Sequence, residues 1–238
     1  MNQFQSLILS CEHGGNEIPE KYQPLFANAQ EALQSHRGWD PGALELARVI
    51  QTYTGASLCF SVISRLFVEL NRSVGHAQLF SHWMQNVGTL ERTAILHEYY
   101  HPYREDVACA VGEELDFDKR VIHVSVHTFT PVLDGEVRNA DIGLLYDPRR
   151  TAEREFCDQW YRHMQKEHPE WRIRRNYPYR GAADGLTTAL RRFFQPVQYL
   201  GIELEVNQAW PLGDQQLWSQ RQQEIAQSLE FVVDQGNR

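Results

Sequence analysis

No stretch of this 238-residue chain approaches the roughly 18 consecutive apolar residues that a membrane-spanning helix needs. No basic segment followed by an apolar core opens it either, so neither a membrane span nor a secretory signal is expected, and the cytoplasm is the expected location. Cysteine is scarce: Cys11, Cys59, Cys109 and Cys157 are widely spaced and form no CxxC pair. That spacing fits neither a zinc knuckle nor a dense disulfide framework, which leaves reduced thiols, with Cys11 as a small buried filler. Positive charge is also short, with 23 Lys and Arg against 31 Asp and Glu, a net charge of −8. A broad cationic face for nucleic acid is therefore not expected. Internal repeats and long linkers are missing as well. Together with 42% hydrophobic and 23% charged residues, this predicts one globular domain over residues 1–238.

Apolar patterning then supplies the elements. Strands are expected at residues 5–10, 56–63, 119–127, 141–146, 171–174 and 199–206, the third a β-branched run typical of a buried strand. Between them, Asp40-Pro41 opens a helix to about residue 54, with the Asp40 carboxylate either capping free amides or orienting a metal-bound histidine. Further helices are expected at 89–111 with a kink at Pro102, at 151–168 ending before Pro169, at 186–194 and at 217–233. Strand and helix alternate, so the expected fold is a single three-layer αβα domain around a mixed, mostly parallel sheet.

Chemistry concentrates where strands stop. The run Leu7-Ile8-Leu9 ends at Ser10-Cys11-Glu12-His13-Gly14-Gly15-Asn16-Glu17. His13 and Glu17 are four apart across two glycines, so a bent backbone could aim an imidazole and a carboxylate at one metal ion. His127 closes the third strand, and the carboxyl edge of the sheet could bring it to the first pair. Two histidines and one carboxylate leave the fourth position of a tetrahedral zinc for water, although iron, manganese or cobalt would also accept these donors. His97 and His101, one helical turn apart, read as surface or core residues.

His13-Gly14-Gly15-Asn16-Glu17, Ser64-Arg65-Leu66-Phe67-Val68-Glu69-Leu70-Asn71-Arg72 and the strand ending at His127 together resemble the N-formylglutamate amidohydrolase family. That family is itself similar to zinc carboxypeptidases and to the aspartoacylase and succinylglutamate desuccinylase group, and the resemblance spans roughly residues 7 to 210. It implies a zinc-exopeptidase-like (phosphorylase/hydrolase-like) fold and one Zn2+ held by His13, Glu17 and His127. It also implies that Asn71 and Arg72 hold a substrate carboxylate and that Glu205 activates water. The first motif departs from the wider group by one extra residue between histidine and glutamate. Strand periodicity puts Glu203 on the same face as Glu205, as a reserve base. Arg65 could oppose the oxyanion formed during attack on an amide, and Tyr179 and Arg180 lie on a loop that could touch substrate.

The expected function is zinc-dependent hydrolysis of an N-acyl amide, formyl being the precedent, of glutamate or a related carboxylate-bearing amino acid. Carboxypeptidase-like cleavage of short peptides and a non-catalytic binding protein on the same fold are the alternatives. The expected partner is a small carboxylate-bearing N-acyl amino acid or short peptide, with no nucleic acid and no membrane; the oligomeric state is open.

Overall fold

The computed structural model describes residues 5–115, 117 and 120–237. Lys119, the expected first residue of the third strand, lies outside them. The strands are β1 (Gln5–Cys11), β2 (Ser57–Phe60), β3 (Arg120–Phe129), β4 (Val132–Leu133), β5 (Glu136–Val137), β6 (Ile142–Leu145), β7 (Ile173–Arg175) and β8 (Tyr199–Asn207). The α-helices are α1 (Gln30–Gln34), α2 (Ala43–Thr54), α3 (Thr89–Ile95), α4 (His101–Leu115), α5 (Thr151–Glu167), α6 (Leu186–Leu190) and α7 (Gln215–Gly236).

Six strands form one sheet in the order β2-β1-β3-β8-β6-β7. Every pairing is parallel except β6 with β8, which is antiparallel. The sheet is thus mixed and mostly parallel, with an apolar core on each face. Two departures from the sequence expectation have local causes. The 89–111 helix is broken by a π turn, Leu96–Tyr100, in which the His101 N–H reaches back to the Leu96 carbonyl; it comes just before Pro102, whose missing N–H and bulky ring disturb the regular ladder. The β4–β5 hairpin was not expected, yet Asp134 and Gly135 both have positive φ, 51° and 82°, as a tight hairpin turn requires.

Alternation across the three central strands positions the site. Leu7, Leu9 and Cys11 of β1, Ile122, Val124 and Val126 of β3, and Leu200, Ile202, Leu204 and Val206 of β8 pack with α2, α5 and α7 into one dry core. The intervening residues face the other way. They start apolar, with Ile8, Val121 and Tyr199 in the second core, and turn polar toward the carboxyl ends: Ser10, then His123, Ser125 and His127, then Glu203 and Glu205. Register pairs Ser10 with Ser125, Ser125 with Glu203, and His127 with Glu205.

His123 marks the change. It is fully buried, with Nδ1 2.7 Å from the Tyr199 hydroxyl and Nε2 2.8 Å from the Ser10 hydroxyl. Burial pushes its pKa down to about 4 from the ordinary 6.5, so the native state refuses a proton that the unfolded chain accepts. Stability is expected to fall by about 3 kcal/mol as pH drops from about 6.5 to about 4. Urea unfolding across that range should show a shallower loss for His123→Gln; equal pH dependence would acquit His123.

Candidate active site

The turn after β1 carries His13 onto the polar face. Gly14 and Gly15 lie so close to the neighbouring segment that an added Cβ would meet the Ser61 and Val62 carbonyl oxygens at 2.8 and 2.6 Å. These glycines therefore permit close backbone packing, with the Gly14 N–H donating to Ser61 O and the Glu17 N–H to Val62 O. That packing carries Glu17 away from His13: Glu17 forms a bridge with Ile63 and its side chain is exposed. The carboxylate that joins His13 and His127 is Asp40.

Asp40 does not cap α2. Gly42 occupies the cap position and no side chain bonds the free amides there. Instead Asp40 Oδ2 lies 3.2 Å from His13 Nδ1 and 2.9 Å from His127 Nδ1, and all three residues are buried, with their candidate ligand atoms within 4.8 Å of one another. The far side of each ring meets another carboxylate. His13 Nε2 is 2.5 Å from Glu69 Oε1, and His127 Nε2 is 3.0 Å from Glu12 Oε2. Glu12, wholly buried, also accepts from the Tyr103 hydroxyl at 2.7 Å and from the Ser125 hydroxyl.

These contacts set the protonation pattern. Burial opposes ionisation of Glu12, yet hydrogen bonding and attraction from His127 hold its pKa far below the usual range. Burial is likewise overcome at Asp40 by Arg65 and the two histidines, and at Glu69 by His13 and Arg65. His127 responds oppositely: burial resists its charge, but Asp40 and Glu12 raise its pKa well above the ordinary value. Arg65 completes the cluster, with Nη1 3.2 Å from Asp40 Oδ1, Nε 3.2 Å from Glu69 Oε2, and its guanidinium against the His13 ring. Ionised carboxylates therefore flank both imidazoles, with Arg65 and a protonated His127 balancing them.

A cleft of about 680 Å3 opens beside this cluster, lined among others by Asp40, Arg65, Glu69, Asn71, Arg72, His127, Tyr179, Arg180, Glu203 and Glu205. Glu205 is 5% exposed, and its Oε2 makes no hydrogen bond among the described residues. Burial raises its pKa to about 8, with His127 and Arg65 opposing the rise and Asp40 and Glu203 adding to it. Glu203 is committed elsewhere, accepting from the Thr187 hydroxyl at 2.8 Å. Asn71 Nδ2 comes to 3.5 Å from His127 Nε2, its side-chain oxygen fixed by the Leu186 N–H at 2.7 Å. Arg72 Nη1 donates to the Asp184 carbonyl at 2.7 Å. Tyr179 takes a 2.9 Å hydrogen bond from Arg138, whose guanidinium lies over the Tyr179 ring.

The structure thus gathers His13, His127, Arg65, Asn71, Arg72, Tyr179, Arg180 and Glu205 at one place and leaves Glu17 outside it. Sequence reasoning missed Glu12 and Glu69 and undervalued Asp40. Strand parity carried a signal for Glu12, which follows Ser10 on the face opposite Leu9 and Cys11; Glu69 sits in an irregular segment without such a pattern.

The chain matches the N-formylglutamate amidohydrolase family over residues 5–210. Among curated proteins none matches it. Of solved structures, the gene product Atu2144 of Agrobacterium tumefaciens superposes with a TM-score of 0.81 at 28% identity, covering 99% of this chain and 91% of that one. The N-formylglutamate amidohydrolase of Ralstonia eutropha JMP134 superposes with a TM-score of 0.71 at 16% identity, covering 98% and 95%, a likeness of fold. With the family match running through both strand-end histidines, Asp40 and Glu205, the chain belongs to the N-formylglutamate amidohydrolase family, hydrolases acting on an amide bond.

Proposed function

We propose that this protein is a zinc-dependent amidohydrolase that cleaves the N-acyl amide, formyl being the family precedent, of glutamate or a related carboxylate-bearing amino acid. The observation that carries this reading is a buried carboxylate, Glu205, with an unpaired oxygen in the cleft that Asp40 and His127 also line.

The residues fit a divalent ion. The Nδ1–Oδ2 separations of 3.2 and 2.9 Å are close to the edge of about 3.3 Å of a tetrahedron with metal–ligand bonds of about 2.0 Å. Glu69 and Glu12 at the outer ring nitrogens would fix tautomer and orientation, leaving Nδ1 as the donor on both rings once the Arg65 guanidinium, which contacts His13 Nδ1, turns aside. His13, Asp40 and His127 would hold the ion, with Asp40 in the place expected for Glu17. When bound, zinc supplies Lewis acidity toward water and the amide carbonyl.

The remaining roles belong to the chain. As a carboxylate, Glu205 takes a proton at Oε2 from the attacking water and returns it to the leaving amine as the C–N bond breaks, and its raised pKa makes it a stronger base than an ordinary carboxylate. Arg65, on the cleft wall, opposes the negative charge that develops on the carbonyl oxygen. Arg72 and Asn71 anchor the substrate carboxylate, the guanidinium offering a fork that matches it, and Arg180 and Tyr179 line the same cleft.

Three outcomes test this reading. Metal analysis should find one zinc per chain, with Asp40→Asn weakening binding by more than the roughly 10–100-fold typical of outer partners and Glu17→Gln leaving it intact; the reverse ranking would restore Glu17 to the ligand set. Glu205→Gln should keep the metal and lose about 10²–10⁴ in kcat on N-formyl-L-glutamate, and unchanged turnover would remove it as the base. For Arg72→Ala, KM for N-formyl-L-glutamate should rise about 10- to 100-fold, since a hydrogen bond to a charged group contributes about 1.5–3 kcal/mol. An equal rise for N-formyl-L-leucinamide, which has no carboxylate, would end the anchoring role.

A further inference from the structure

The catalytic cluster and the arginine end account for only part of the cleft. Its lining continues along Leu66, Ala77, Phe80, Ser81, His82 and Trp83 to Arg37. At about 680 Å3 the space lies within the roughly 300–1,000 Å3 of pockets that enclose drug-sized ligands, whereas a formyl group adds one carbon to an amino acid.

This wall is built and held. Leu79 and Met84, its anchors, are 5% and 0% exposed, and the Glu69 N–H donates to Leu79 O at 2.9 Å. Trp83 packs against the His82 ring at 3.6 Å, stacks with Phe26 at 6.1 Å and lies beneath the Arg37 guanidinium at 5.5 Å. Arg92 covers the Phe80 ring at 5.2 Å and donates to the Met84 carbonyl at 2.8 Å. Phe80 and Trp83 nevertheless remain half-buried and line the cleft.

Resting on the amidohydrolase reading above, we propose that this wall is the acyl subsite and that the protein favours N-acyl amino acids with an aromatic acyl group, of the benzoyl class, over formyl or acetyl. With the carboxylate held by Arg72, Asn71 and Arg180, the acyl group, which lies beyond the scissile bond, is under this proposal directed to this wall of the same cleft. A ring placed against Phe80, Trp83 and Leu66 gains both burial and aromatic packing.

The test is equilibrium binding of N-benzoyl-, N-acetyl- and N-succinyl-L-glutamate to the full chain, with and without zinc, in a Glu205→Gln background that prevents turnover. Benzoyl is expected to bind about tenfold or more tighter than acetyl. Adding Trp83→Ala or Phe80→Ala should bring that ratio near one, while Trp83→Phe should keep it. A ratio near one before substitution, a ratio that survives both alanines, or tighter binding of succinyl, which would make Arg37 a reader of a second carboxylate, each overturns the proposal. Hydrolysis by the unsubstituted protein separates the two readings: a benzoyl preference in binding with no hydrolysis of any acyl glutamate sinks the amidohydrolase alone, and hydrolysis without the preference sinks the aromatic subsite alone.

Discussion

A run of alternating acids and imidazoles, Glu12, His127, Asp40, His13 and Glu69, buried except for the half-buried Glu69, is the constraint on which the rest of the site depends. Each ring lies between two carboxylates, and Asp40 is shared by both rings. Groups of this charge tolerate burial only when paired. The fold therefore has to bring the ends of β1 and β3, the segment before α2 and the stretch after β2 to one point, and the hydrogen bonds from Asp40 N to His13 O and from Arg65 N to Gly38 O tie those segments together.

The sheet supplies the frame for that cluster. Because β1, β3 and β8 are parallel and adjacent, their carboxyl ends share one edge, and one alternation of side chains serves all three. Inward residues stay apolar throughout. Opposite residues change from apolar to polar along the strands, so the second core gives way to a polar cleft without any break in the backbone ladder. The same burial that stabilises the sheet also raises the proton affinity of Glu205, so stability and acid–base character come from one arrangement.

Much of this was legible in the sequence. The β-branched run before His127 is a strand where residue type and periodicity point, and the mixed, mostly parallel sheet followed from strand and helix alternating. Asn71-Arg72, and Glu205 rather than Glu203, were singled out by the family resemblance, because residue type and periodicity alone leave them as ordinary surface polar residues. What was hidden depends on contacts between distant segments. Two glycines after His13 suggest a bend, but whether they bend the chain or let it pack against Ser61 and Val62 is decided by β2, more than forty positions away. Asp40 before Pro41 carries a strong helix-cap signal, and only the position of both histidines shows that its carboxylate is taken. Glu69 had no periodic pattern to mark its face.

Gly143 shows how far such control reaches. It sits in β6 opposite Glu205, and a Cβ there would collide with the Tyr177 carbonyl and come within 3.3 Å of Glu205 Cβ. The missing side chain lets the segment after β7 lie flat across β6, as the bond from Asn176 N to Leu144 O records, and this is the stretch that delivers Tyr179 and Arg180 to the cleft. This part of the cleft lining is thus seated on an absent methyl group. The shape of the cleft beside Glu205 becomes a matter of loop seating, set by a residue with no side chain.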